Sequence, residues 1–136
     1  MRVPVPESLR EHADRVGEVA PPRDAATVVV VRDGAKGIEA YLLRRQPSMA
    51  FAPGMYVCPG GGVDDADSDA DISWVGPPAS EWAARFGCSE DIARRLVCAA
   101  VRETFEESGV LLAGPDEHSI VSDTSAASFQ EARLAL

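Results

Sequence analysis

The stretch Arg102-Glu103-Thr104-Phe105-Glu106-Glu107-Ser108-Gly109 sets carboxylates at i, i+3 and i+4 of a helical pattern, which brings Glu103, Glu106 and Glu107 onto one face. Like charges at that spacing weaken a helix unless a counter-charge offsets them, and one adjacent Arg102 cannot neutralise three glutamates. A divalent cation can. Hard cations such as Mg2+ take oxygen ligands and are commonly held by a few carboxylates together with substrate phosphates, so the cluster points to phosphate-ester or anhydride chemistry. The plainer alternative is an acidic solvated helix face, which is common because glutamate is a good helix former.

A second element shifts the balance. Upstream, Pro59-Gly60-Gly61-Gly62-Val63-Asp64 follows the strand-like residues 55–58 and reads as a glycine-rich turn. Glycines let backbone approach a ligand closely, and amides or carbonyls exposed there can meet a phosphate or a metal. By itself a triple glycine is more often just a flexible turn. Further out, Ser89 is a plausible N-cap with Glu90 and Asp91 in the first turn, and Gly109 is a good stop, so the acidic cluster should end a helix over residues 90–108. Its core-facing stripe should include Ile92, Leu96, Ala99, Ala100 and Phe105.

In this order the two elements resemble the signature of the nudix hydrolases: Gly, five residues, Glu, seven residues, then Arg-Glu-hydrophobic-any-Glu-Glu-any-Gly-hydrophobic. Gly61, Arg102, Glu103, Glu106, Glu107, Gly109 and Val110 match. Asp67 stands where the first Glu belongs, Thr104 fills the hydrophobic slot, and residues 68–101 replace the short spacer. An insertion inside the box looks like the subgroup related to the peroxisomal coenzyme A diphosphatases. Before the box, Leu42, Leu43, Arg45, Gly54, Pro59, Gly60 and Gly61 fit the pattern of coenzyme A-cleaving members, while Gln46, Ala50 and Cys58 depart from it.

The resemblance implies an α+β fold, a nudix-type α/β/α sandwich with a mixed sheet. It implies a metal-dependent hydrolase of a diphosphate linkage in a nucleoside diphosphate derivative, with coenzyme A or acyl-coenzyme A favoured. Glu103, Glu106 and Glu107 would hold Mg2+ or Mn2+, with the Gly60 carbonyl a further candidate ligand. Arg102 would orient a glutamate, and Glu103 is a candidate base. Arg44, Arg45, Gly54 and Gly61 would meet the substrate. Only 24 residues, 113–136, follow the next expected strand at Val110-Leu111-Leu112, so by comparison with the family the chain looks C-terminally truncated. A nudix-fold binding or regulatory module without turnover is the competing expectation.

Composition agrees with one globular domain: 46% hydrophobic and 26% charged residues in a chain of 136. A net charge of −9 and the lack of a basic stripe argue against nucleic acid or an anionic membrane as partner. The expected partner is a small-molecule nucleotide, and a homodimer is compatible. Cys58, Cys88 and Cys98 form no paired motif and read as reduced thiols. There is no secretory h-region and no apolar run of about 18 residues, so a cytoplasmic location is the default.

Residues 1–24 read as a proline-punctuated arm with a short helix over 7–16, and residues 25–136 as the nudix domain. Residues 27–31 form a buried-strand pattern and 38–43 a second strand, together a hairpin. The acidic run from Asp64 imitates a calcium loop but places Ala70 and Gly76 where that loop needs glycine and glutamate. Residues 81–86 should form a short amphipathic helix, with Trp74 and Trp82 packing the insertion onto the domain.

Overall fold

The structure is a computed structural model that describes residues 21–50, 52–68 and 72–136. The expected helix over 7–16, most of the arm and part of the acidic run lie outside them. Helix α2, Glu90–Ser108, is the spine of the fold. Ser89 Oγ accepts from Ile92 N at 3.3 Å, Glu90 and Asp91 favour the positive end, and Gly109 (φ 76°) closes the helix by donating to Phe105 O at 2.8 Å. These are the bounds the local signals predict. Before it comes α1, Ala79–Phe86, closed by Gly87 at φ 69°, and after it α3, Ala127–Ala135.

Helix α1 packs against α2. Among the described residues Ala83 of α1 and Ala93, Cys98, Ala99 and Phe105 of α2 are buried, with Pro59 fully buried as well, so most of the core lies along this helix pair. The early part of the insertion is tied to α2 through Arg94, whose Nη2 donates to Ile72 O at 2.9 Å while its guanidinium lies 5.6 Å from the Trp74 ring centre. Trp82 stacks at 5.4 Å on Phe86. Cys58, Cys88 and Cys98 are all free thiols.

The strands differ more from expectation. Residues 27–31 divide between two partners. Strand β1 (Ala25–Thr27) pairs antiparallel with β6 (Gly60–Gly62), whereas β2 (Val31–Gly34) pairs with β3 (Gly37–Ala40) in a hairpin closed between Gly34 and Gly37. The switch is visible in the backbone: Val28 N donates to Pro59 O at 2.9 Å, and Val30 O accepts from Tyr41 N at 2.9 Å. A third ladder joins β4 (Leu43–Arg44) to β5 (Tyr56–Val57). The run expected to be buried is therefore partly open, with Val29 62% and Val31 56% exposed.

The α+β architecture holds. Among the described residues every ladder is antiparallel and two-stranded, so the parallel pairing of a mixed sheet does not occur among them. Two local expectations are corrected. Gly60–Gly62 is a strand and not a turn, because β1 lies beside it. Val110-Leu111-Leu112 joins no ladder among the described residues, none of which runs alongside as a strand; Val110 N is satisfied by Ser108 Oγ at 3.1 Å. No helix among the described residues is long and apolar enough to cross a membrane.

Candidate active site

The site forms where α2 packs on β6. Gly60 has φ 155°, and a Cβ there would stand 2.3 Å from Ala26 O and 2.7 Å from Thr27 Cα, so only glycine fits. Its N–H donates to Glu107 Oε2 at 2.9 Å. At Gly61 a Cβ would lie 2.3 Å from Glu103 Oε1. The glycines thus let the strand backbone press directly against two glutamates of α2.

Arg102 gathers the rest. A guanidinium has five N–H donors, and here each has an acceptor. Nε donates to Asp67 Oδ1, and Nη2 to Asp67 Oδ2 and Gly62 O; Nη1 donates to Glu103 Oε1 and Glu106 Oε1, all at 3.0 Å. Asp67, at 3% exposure, sits in a 3-10 turn, Asp65–Ser68, and also accepts from Asp64 N at 2.7 Å. Burial pushes the Asp67 pKa up, but the hydrogen bonds from Arg102 and Asp64 and the charges of Arg102 and Arg95 outweigh it, and the carboxyl ends below its ordinary range. The hydrogen bonds that Arg102 donates to Asp67, Glu106 and Glu103 hold its proton more firmly than usual, against the opposing effect of burial.

Glu106 and Glu107 occupy the last turn of α2, where the helix dipole disfavours anions; that turn holds no basic residue, and Arg102, one turn earlier, answers Glu106. Arg133 of α3 adds positive charge at this end of the helix, donating through Nε to the Glu106 main-chain carbonyl at 2.7 Å. Thr104 fills the slot where the nudix pattern has a hydrophobic residue. It is fully buried, and its hydroxyl is satisfied by Ala100 O at 2.7 Å.

Glu103, Glu106, Glu107, Arg102, Gly60 and Gly61 are thus brought together. Arg44, Arg45 and Gly54 stand on the β4–β5 ladder, where Arg45 N donates to Met55 O at 2.9 Å and Gly54 N to Arg45 O at 3.1 Å. Gly54, at φ 72°, makes that turn. Asp67 is the residue that sequence reasoning underrated: its slot in the box was visible, but its partner lies across the whole insertion. The oxygen-rich donor set suits a hard divalent cation. In the present side-chain arrangement Glu103 and Glu106 turn to Arg102 and Glu107 to Gly60, and among the described residues no three acidic, histidine or cysteine side chains converge on one ion position.

Helices with small antiparallel ladders make an α+β fold of the nudix type. The solved NUDIX hydrolase from Alicyclobacillus acidocaldarius is similar at 38% identity and a TM-score of 0.51, over 71% of this chain and 40% of that one. The acyl-coenzyme A diphosphatase NUDT19 from Homo sapiens is 36% identical over an alignment of 115 residues, spanning 60% of this chain and 28% of that protein. The chain thus spans less than half the length of either relative. No family model matches it. Both likenesses support the nudix family.

Proposed function

We propose that the chain is a nudix hydrolase acting on a diphosphate linkage in a nucleoside diphosphate derivative, with coenzyme A or acyl-coenzyme A as favoured substrate. The observation that carries this reading is the clustering of Glu103, Glu106 and Glu107 around Arg102 and the glycine strand. Likeness to an acyl-coenzyme A diphosphatase supports the substrate class, and the spacing between Gly61 and Arg102 supports the subgroup with an inserted box. The catalytic domain is residues 25–136, with 68–101 as the insertion.

Glu103, Glu106 and Glu107, with the Gly60 carbonyl, would hold Mg2+ or Mn2+. Once bound, such an ion neutralises phosphate charge and lowers the pKa of water. Arg102 fixes Glu103 and Glu106, and Asp67 fixes Arg102 in turn. Glu103, which Arg102 holds in place, accepts the proton as water oxygen bonds to phosphorus and the anhydride P–O bond breaks. On coenzyme A the products are adenosine bisphosphate and phosphopantetheine. Arg44 and Arg45 would meet the substrate phosphates, near the Gly54 turn.

Incubation with coenzyme A, ADP-ribose and NADH, with and without Mg2+ or Mn2+, tests this. The expected result is metal-dependent cleavage of coenzyme A that Glu106→Gln abolishes; no metal-dependent product from any of them would sink the reading. One observation favours a second reading, a nudix-fold binding module: no three carboxylates converge on one ion position among the described residues. Calorimetric binding of metal or nucleotide without hydrolysis would select it.

A further inference from the structure

On the side of α2 away from Glu103 and Glu107 lies a cleft of about 740 Å³, within the roughly 300–1,000 Å³ usual for small-molecule sites. Trp74, Val75 and Trp82 of the insertion form one wall, Val101 and Phe105 of α2 another, and Ile120 a third. Val75 is 61% and Ile120 67% exposed, which leaves apolar surface uncovered across the opening. The cleft is continuous with the site described above, because Asp67 and Arg102 also line it. Its polar rim carries Asp116 and Glu117, which repel phosphates, and His118, whose Nε2 lies 3.3 Å from Glu117 Oε1, while all five Arg102 donors are already engaged. A diphosphate therefore meets carboxylates there with little counter-charge, whereas an aliphatic chain loses only water.

We propose that this cleft seats the aliphatic acyl chain of a coenzyme A thioester, so that the insertion confers a preference for longer acyl groups. The substrate class rests on the diphosphatase reading; the affinity of the cleft for an alkyl chain does not. Both tryptophans of the chain line the cleft, so intrinsic fluorescence reports on its contents.

Titration with acetyl-, octanoyl- and palmitoyl-coenzyme A, followed by tryptophan fluorescence, tests it. Each buried methylene adds roughly four-fold in affinity, so octanoyl-coenzyme A should bind at least about ten-fold tighter than the acetyl form. Val75→Asp and Ile120→Asp, both at exposed positions, should flatten that dependence. Affinity independent of chain length, or a dependence untouched in both variants, overturns the proposal. Decanoate in metal-free buffer separates the two inferences. If it shifts the fluorescence of the natural chain and of neither variant while no coenzyme A compound is hydrolysed, the diphosphatase reading fails and the alkyl site stands. A dimer that Val75→Asp dissociates, with no response to any alkyl chain, assigns the cleft to a second copy and overturns the proposal.

Discussion

The junction of α2 with β6 and the β2–β3 hairpin are built on opposite principles. At the junction an arginine with every donor engaged binds a buried aspartate, two glutamates and a strand carbonyl, and glycines admit the backbone at distances no other residue tolerates. In the hairpin, backbone ladder bonds and one exposed ion pair, Arg32 to Glu39 at 2.8 Å, join strands whose apolar residues face outward, with Ile38 76% exposed. Directional polar bonds fix the first region, and substitution there should be costly. The second has little tertiary packing to lose.

The largest effect should come from Arg102→Met. It leaves Asp67 buried without its partner and the glutamates facing one another, a loss of about 3–5 kcal/mol measurable by urea unfolding. Next comes Gly60→Ala, in which the new Cβ meets the Ala26 carbonyl, with an expected cost of about 1–3 kcal/mol in the same assay. Gly61→Ala meets the carboxylate end of Glu103, which can turn aside only by leaving Arg102, so it should cost less stability than Gly60→Ala yet lower turnover by roughly 100-fold through displacement of that carboxylate.

The comparison also has a pH signature. The Asp67 pKa is depressed in the folded state, so its contribution is present above the usual aspartate value of about 3.9 and is lost as pH falls through the folded value. Asp67→Asn should therefore lower stability at neutral pH and flatten the acid limb of the unfolding profile; an unchanged acid limb would show that Asp67 does not contribute it. Smallest of all should be Val31→Thr with Ile38→Thr, within about 0.5 kcal/mol of the natural chain. A larger loss would mean that something covers the hairpin in solution.

Helix α2 was legible to the residue because its signals are local: Ser89, Glu90 and Asp91 at the start, Gly109 at the end, and carboxylates spaced by the helix itself. The strand run at 27–31 was not. Whether Val28 faces Pro59 and Val30 faces Tyr41 is decided by segments far along the chain, and apolar periodicity is silent about the change of partner. Asp67 shows the same limit at the site. A shortened acid in a glutamate slot looked like a departure, yet its carboxylate reaches both Nε and Nη2 of Arg102.

Asp67 and Arg102 stand at the two ends of the insertion, which makes their bidentate pair a clasp on a loop. Closing a flexible loop costs only about 0.6 kcal/mol more for each doubling of its length. Within the segment hung from such a clasp, the connection that precedes α1 can lengthen or shorten with little penalty to the acidic face, whereas α1 and the first half of α2 carry the core and cannot. Divergence for specificity is therefore open to the connection, while the helix pair keeps the residues beside the clasp in register.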